Sequence, residues 1–269
     1  MSRLMQCATC GVERAGELPE LCPICADERQ YVPASGQRWL EPGSQPDAAL
    51  QFTEAESGVH ALAPTNVPGI GQHPLLVASA AGNIMIEAPA HIDVDSIAAV
   101  RERGGLAGLI ATHPHMYGLQ SLWAREFDCP VYIAKADAHW LGARPDHTVV
   151  WEGELALADD LHASQPGGHF PGSTVVHWRA PDGSGVLFAG DTIGTARAPG
   201  WVTFMRSFPN YLPLSAAVVA RIAEHVARYD FERLYGNFGA RVDEDAAGAV
   251  ARSAARHIDW VSGRMDHLT

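Results

Sequence analysis

Short apolar runs, each bounded by glycine or by polar residues, recur along this chain and predict a fold rich in β-strands. Two such runs, at 75–79 and 83–87, flank a glycine-containing turn and have the pattern of a β-hairpin. Further strands are expected at 106–111, 131–134 and 186–189, near 233–235, and as four short strands between 148 and 178.

Apolar residues three or four positions apart predict helices between these strands. The predicted helices lie at 95–103, 119–127, 136–141, 214–229 and 243–262. Hairpin-linked strands interleaved with helices indicate a mixed α/β (α+β) fold, in which two sheets are covered by outer helices. A regular parallel array would alternate strand and helix more strictly.

The chain divides into three predicted parts. Residues 1–32 hold four of the five cysteines, and residues 73–269 hold the predicted strands and helices. Residues 33–72 are rich in proline, glycine, serine and alanine and show few periodic signals. We expect them to form an extended connection packed on the main domain, because a free linker would be more polar.

Composition narrows the class of protein. Apolar residues make up 47% of the 269 residues, which is enough for a well-buried core. The formal net charge of -12 argues against binding to nucleic acid or to an anionic membrane. The sequence has neither an apolar run of about 20 residues nor the apolar core of a signal peptide. We expect a cytoplasmic protein that acts on a small molecule, with its oligomeric state left open.

Four cysteines near the N-terminus have the spacing of a metal site. They form two C-x2-C pairs, Cys7 with Cys10 and Cys22 with Cys25. Two such pairs offer four thiolates in a tetrahedron, which suits Zn²⁺ or a single iron ion. Two disulfides are the alternative for an oxidising compartment. Residues 7–31 resemble a zinc ribbon, or the rubredoxin-like module of rubrerythrins, and both resemblances imply one bound metal ion.

A second group of metal-ligand residues follows later apolar runs. His113 and His115 come after the predicted strand 106–111, His169 follows two glycines, and Asp191 follows the strand 186–189. Histidines and a carboxylate at the ends of strands are typical of an open metal site on a β-rich scaffold.

The order of these motifs is similar to that of the metallo-β-lactamase superfamily, over roughly residues 70–260. The resemblance implies an αββα sandwich with its metal ions at one edge. It also implies that His113, His115 and His169 bind the first metal ion. Asp191 then corresponds to the carboxylate that bridges both ions in members with two metals.

This sequence lacks most of the residues that bind the second metal ion in that family. Tyr117 and Gly118 stand where the family motif has an aspartate and a histidine. Residues 235–238, Tyr-Gly-Asn-Phe, offer no histidine where the family has its last ligand. The chain therefore resembles a divergent member with one metal ion in this domain, which makes two ions per chain with the cysteine site.

A zinc ion held by neutral imidazoles predicts hydrolysis, because it lowers the pKa of bound water to about 7 and yields hydroxide at neutral pH. We expect a hydrolase of an ester, thioester, lactone or amide, in which Asp191 ligates the ion or orients the water. Tyr117 is a candidate catalytic donor to an oxyanion, since a phenol of pKa about 10 is a poor base at pH 7.

Two other interpretations stay open at this point. Two histidines and a carboxylate with free positions suit Fe(II), so a non-haem iron oxidoreductase on the same fold is one alternative. Iron is possible at either metal site. The other alternative is a non-catalytic binding protein that metal ions stabilise.

The loop after Asp191 is a candidate wall of the substrate site. It carries two arginines and two aromatic residues, Arg197, Trp201, Phe204 and Arg206. These side chains either face the substrate or pack internally.

Overall fold

Two β-sheets lie face to face with helices on their outer sides, in a computed structural model that describes residues 3–269. The strands are β1 Leu4–Cys7, β2 Glu13–Ala15, β3 Trp39–Leu40, β4 Ala49–Glu56, β5 Val59–Thr65, β6 Leu75–Ser79, β7 Gly82–Ile86, β8 Gly108–Ile110, β9 Val131–Ala134, β10 Thr148–Trp151, β11 Glu154–Ala158, β12 Leu161–Ser164, β13 Val175–Arg179, β14 Gly185–Phe188, β15 Gly194–Thr195, β16 Val202–Thr203, β17 Met205–Ser207, β18 Leu212–Pro213, β19 Arg233–Tyr235 and β20 Arg241–Val242. The α-helices are α1 Pro23–Ala26, α2 Val94–Glu102, α3 Gln120–Phe127, α4 Ala216–Val226 and α5 Ala246–Val261, and 3₁₀ turns lie at Pro114–Met116, Lys135–Trp140 and Asp266–Leu268. Within the described range, every helix is too short or too polar to cross a membrane.

The first sheet has seven strands in the order β10-β9-β8-β7-β6-β5-β4. Strands β4 to β7 pair antiparallel, and β7 to β10 pair parallel. The second sheet has six strands in the order β11-β12-β13-β14-β19-β20, and its β14–β19 pair is parallel. Two-stranded ribbons, β15–β16 and β17–β18, lie in the loop that follows β14.

Strict alternation of side chains places apolar residues on both faces of each sheet. In β7, Ile84 and Ile86 face the second sheet, whereas Met85 between them faces the outer helices. In β14, Val186 faces inward and Leu187 faces outward. Because successive side chains of a strand point to opposite faces, strands covered on both sides read as continuous apolar runs.

Three apolar layers result. The central layer lies between the sheets and includes the fully buried Trp178. One outer layer packs α2 and α3 on the first sheet, and the other packs α4 and α5 on the second. This arrangement confirms the predicted αββα sandwich, and the predicted hairpin, four of the five predicted helices and the four short strands from β10 to β13 are present. The helix predicted at 136–141 is instead the 3₁₀ turn Lys135–Trp140.

The expectation that residues 33–72 form an extended connection packed on the main domain is wrong. Residues 39–40 form β3, which pairs with β1, so the cysteine module extends beyond residue 32. Residues 49–65 form the hairpin β4–β5, which pairs with β6, so the main sheet begins before residue 73. The exposed edge strand β4 alternates only partly buried residues with polar ones, and Pro64 lies within β5. Polar edge positions and an internal proline both weaken the sequence signal of a strand.

The N-terminal cysteine module is joined to the sandwich by backbone and buried side-chain hydrogen bonds. It consists of the sheet β2-β1-β3 and α1. The Glu13 amide donates to the carbonyl of Gly118 (2.9 Å), and the Gln6 side chain donates to that of Ala90 (2.6 Å). The Glu13 carboxyl accepts hydrogen bonds from the backbone amide (2.7 Å) and the hydroxyl (2.6 Å) of Ser121 at the start of α3. The four cysteines belong to the same apolar layer as α3, so module and sandwich share one core.

Burial raises the pKa of Glu13 to about 8, and the hydrogen bonds of Ser121 oppose this shift only in part. The folded chain keeps this proton up to about pH 8, whereas the unfolded chain releases it near the ordinary value of 4.5. Unfolding therefore becomes easier as pH rises between these two values.

Glu13→Gln keeps both hydrogen bonds and removes the titration. The difference in unfolding free energy between this variant and the original chain is expected to shift in favour of the variant by about 2 kcal/mol from pH 6 to pH 8. Urea denaturation at the two pH values measures this difference, with exposed Glu17→Gln as the control. The same difference at both pH values would contradict the assignment.

Candidate metal centre

The predicted histidines and aspartate meet at the edge where the two sheets come together. His113 follows β8 and precedes the 3₁₀ turn that contains His115. His169 lies in the loop between β12 and β13, and Asp191 lies just after β14. All four residues are at most 4% exposed.

Their ligand atoms surround one point. Each residue offers one ligand atom, and these four atoms lie within 4.8 Å of one another. His169 Nε2 is 3.2 Å from His115 Nδ1, and Asp191 Oδ2 is 3.5 Å from His113 Nε2. The three imidazole rings meet edge to face, with centroids 4.8 to 5.1 Å apart. Tetrahedral ligands about 2.0–2.2 Å from zinc would lie about 3.4 Å apart, so the separations between these ligand atoms suit one zinc ion at their centre.

Hydrogen bonds outside the cluster orient two of the rings. The Thr112 hydroxyl donates to the Glu87 carboxyl (2.5 Å), which leaves it as an acceptor for His113 Nδ1 at 3.0 Å. The carbonyl of Met205 lies 3.1 Å from His169 Nδ1 and accepts its proton. The lone pairs of both Nε2 atoms then point to the centre, and buried His113 Nε2 has no hydrogen-bond partner among the described residues. A buried imidazole nitrogen left without a proton donor suits a metal ligand.

The electrostatics favour the protonation states that a metal ion requires. Burial and the neighbouring histidines hold the pKa of His115 well below its ordinary value, and burial lowers that of His169 to about 4. Burial alone would raise the pKa of Asp191, but the interactions with His113, His169 and Asn237 together outweigh it and the pKa is lowered. At pH 7 the imidazoles of His115 and His169 are therefore neutral and the carboxylate of Asp191 is ionised, as a metal ion requires.

Two glycines allow this close assembly. A Cβ atom on Gly190 would lie 2.4 Å from the Thr112 hydroxyl, and the residue has a φ of +57°. A Cβ atom on Gly118 would lie 2.3 Å from the carbonyl of Ala88, and its φ is +41°. Both positions need glycine for space and for left-handed backbone, and position 118 cannot carry a ligand side chain in this backbone.

The other two positions expected to lack second-metal ligands have structural partners. Asn237, in the segment 235–238, donates to Asp191 Oδ1 at 3.2 Å. Tyr117 is 2% exposed and its hydroxyl donates to the carbonyl of Asp137 at 3.2 Å. Burial raises the pKa of Tyr117 well above its ordinary value, so its phenol is neutral. The catalytic role of Tyr117 stays a prediction, because its hydroxyl is directed at Asp137.

The four cysteines form the second candidate metal site. Cys7 Sγ lies 3.7 Å from Cys25 Sγ, and Cys10 Sγ lies 3.8 Å from Cys22 Sγ. Four sulfurs about 2.3 Å from a tetrahedral zinc ion would be about 3.8 Å apart. All five cysteines of the chain are free, so the disulfide alternative is not adopted. Hydrogen bonds with the other three thiols lower the pKa of Cys7 and favour its thiolate, and the Gln37 amide adds another at 3.3 Å.

A cavity of about 350 Å³ opens beside the histidine cluster. His115, His169 and Asp191 line its floor, and Phe208 and Pro209 line one side. The cysteine module also lines the cavity and contributes Thr9, Arg29, Gln30 and Tyr31.

The role of the loop after Asp191 as a wall of the substrate site stays a prediction, and the four side chains named for it lie outside the described lining of this cavity. From this loop, Phe208 and Pro209 belong to the described lining of the cavity. Phe204 is fully buried, and Trp201 packs under the guanidinium of Arg256 at 3.5 Å. Arg206 forms an ion pair with Glu28 of the module.

Sequence reasoning missed several residues of the centre, because each acts across a long separation. Glu87 ends β7 with a φ of +68°, and only its place at the end of a buried strand could have drawn attention to it. Phe170 follows His169 and its ring packs against all three histidine rings. Arg29 reaches His169 over 140 residues.

Comparison with known proteins identifies similar sequences and folds. The family model for the metallo-β-lactamase superfamily matches residues 68–236. The uncharacterized protein YmaE of Bacillus subtilis strain 168 is 35% identical over 268 residues, which cover 97% of this chain and 98% of that protein. The DIM-1 metallo-β-lactamase structure is 16% identical with a TM-score of 0.60 and covers 78% of this chain and 99% of its own. The metallo-β-lactamase FIM-1 from Pseudomonas aeruginosa, solved in a mono-zinc form, is 17% identical with a TM-score of 0.55, over 78% and 96%.

The two candidate sites predict the metal content of the chain. Elemental analysis of the purified protein is expected to find two metal ions per chain, and one in His113→Ala/His169→Ala. Cys22→Ser/Cys25→Ser is expected to lose the other ion, and exposed His162→Ala is the control that keeps both. Unchanged metal content in the histidine variant would contradict the assignment of the centre.

The bond from His113 to Thr112 predicts an effect on metal affinity. Thr112→Val removes the acceptor of the imidazole proton and is expected to weaken metal binding about 10- to 100-fold. Competition with a chromophoric chelator measures the affinity. Thr148→Val is the matched control, because its hydroxyl donates only to the carbonyl of Pro145 (2.6 Å). Equal affinity in both variants would show that the bond does not support the centre.

Proposed function

This chain belongs to the metallo-β-lactamase superfamily, and on that premise we propose that it hydrolyses a small ester, thioester, lactone or amide with one zinc ion in its histidine site. The observation that carries the proposal is the convergence of three imidazoles and one carboxylate on a single point beside a cavity. A zinc ion bound there would lower the pKa of water and polarise a carbonyl group. The solved mono-zinc form of FIM-1 supports one ion in a fold of this kind.

Three features support one ion over two. Asp191 is the one carboxylate of this cluster among the described residues, and its Oδ1 atom accepts a hydrogen bond from the amide of Asn237. Gly118 offers no ligand, and Tyr117 is engaged by the carbonyl of Asp137. Three imidazoles and one carboxylate would leave a net positive charge on one zinc ion, which suits a Lewis acid.

Asp191 is the candidate to orient the attacking water. Its Oδ2 atom lies 3.5 Å from His113 Nε2 and 3.9 Å from His169 Nε2, while Asn237 holds its other oxygen. Hydrolysis joins the oxygen of water to the acyl carbon, breaks the bond to the leaving oxygen, sulfur or nitrogen, and transfers a water proton to the leaving group. An ionised carboxylate at the cavity floor is placed to accept that proton and pass it on.

The proposal is tested with zinc-loaded protein and a panel of 4-nitrophenyl esters and thioesters. Hydrolysis is expected to require zinc, to stop after chelation and to return on adding zinc to the chelated protein. His169→Ala is expected to lower kcat/KM at least about 100-fold, because it removes a ligand of the ion. Exposed His162→Ala is the matched control.

Two results would contradict the proposal. One is an ester hydrolysis that persists in the metal-free histidine variant. The other is iron in the histidine site together with oxygen consumption, which would instead support the non-haem iron alternative.

A further inference from the structure

The cysteine module carries a cation into the wall of the metal-site cavity. Arg29 follows α1 and is 6% exposed. Its Nε donates to the carbonyl of His169 at 2.7 Å, and its Nη1 donates to Asp27 Oδ1 at 2.7 Å. The guanidinium lies over the ring of Phe170, 4.1 Å from the centroid, and that ring packs against the histidine cluster. The positive charge is therefore fixed beside the candidate reaction site.

The position of Arg29 is held by the chain around it. Its backbone carbonyl accepts the hydroxyl proton of Ser207 at 3.0 Å. The side-chain amide of Asn210 donates to the carbonyls of Glu28 and Gln30, on either side of Arg29, at 2.9 and 3.1 Å. A cation that is oriented before ligand binding loses little conformational entropy when the ligand arrives.

Arg29 has donors to spare. A guanidinium has five N–H groups, and the described residues accept only from Nε and once from Nη1. The residue lines the cavity together with His115, His169 and Asp191. Asp27 balances part of its charge from the outer side, where that carboxylate side chain is 19% exposed.

The rest of the cavity wall is suited to a small ligand with one anionic end. Tyr31, Ile70, Phe208 and Phe238 supply apolar and aromatic surface. Asp191 is the one carboxylate in the described lining, and it is engaged by the histidines and by Asn237. Arg29 is the one arginine or lysine in the described lining, and it is thus the positive feature that a ligand meets beside the metal site.

We propose that Arg29 binds a carboxylate group of the substrate and makes the site selective for carboxylate-bearing molecules. This inference rests on the proposed function, since it assigns a substrate class to the same cavity. A planar guanidinium matches the geometry of a carboxylate and forms charge-assisted hydrogen bonds with it. The cysteine site gains a role in recognition, because its metal ion would stabilise the segment that presents Arg29.

Binding of two matched probes tests the proposal. Phenylacetate and phenylacetamide have nearly the same shape and differ in charge. Isothermal titration calorimetry with the metal-loaded chain is expected to show at least about 10-fold tighter binding of phenylacetate. Arg29→Gln is expected to abolish this preference, and Arg29→Lys to keep part of it.

Arg206→Gln is the matched control, because Arg206 also pairs with a module carboxylate, Glu28, but lies outside the described cavity lining. It is expected to keep the preference for phenylacetate. Melting temperature and metal content establish that each variant is folded and loaded. If Arg29→Gln fails to fold, the preference for phenylacetate over phenylacetamide is compared between the original chain and Arg29→Lys. An undiminished preference in Arg29→Lys would then contradict the proposal.

Two outcomes would overturn the proposal. One is a phenylacetate preference that persists in folded Arg29→Gln, which would place the carboxylate on the metal ion. The other is an original chain that binds both probes equally or binds neither. The probes need not react, so the binding result is independent of the ester assay: a hydrolase without the preference refutes only the role of Arg29, and a preference without hydrolysis refutes only the proposed reaction.

Discussion

The buried cluster of three imidazole rings and one carboxylate is the constraint around which this chain is organised. Polar nitrogen atoms in the interior are costly when they lack partners, and those of His113 and His115 include atoms without one. A cation at the centre would give His113 Nε2 a partner and would hold the four ligand groups together. The pairing of β8 in one sheet and of β14 in the other therefore matters for chemistry, because His113 and Asp191 follow the ends of these strands and are positioned by them.

The cysteine module belongs to the same physical system as the histidine site. The thiols pack in the apolar layer that contains α3, and Glu13 anchors the module to the start of that helix. Arg29 then connects the module to the backbone of His169. Because so small a module has little core of its own, its stability depends on its metal ion and on the surface of the sandwich. Both metal sites thus influence one cavity wall.

Much of this organisation could be predicted from local sequence. Continuous apolar runs identified strands such as β7 and β14, and helical spacing identified α4 and α5. The ligand residues were also predictable, since each follows an apolar run. The resemblance to a known family supplied their grouping, which no local pattern contains.

The remainder depends on contacts between distant segments. The edge hairpin β4–β5 owes its place to pairing with β6, and its partly polar strands give a weak signal. The bonds from Glu87 to Thr112 and from Asn237 to Asp191 join segments that only the folded sheets bring together. Arg29 is one of several arginines in the sequence, and its importance comes from burial next to Phe170.

The central claim is that the histidine cluster holds a single metal ion. Anomalous diffraction from crystals of the metal-loaded chain, recorded at the zinc and iron edges, tests it most directly. We expect one zinc peak among His113, His115, His169 and Asp191, and one further peak among the four cysteines. Two peaks in the histidine site, or none, would contradict it.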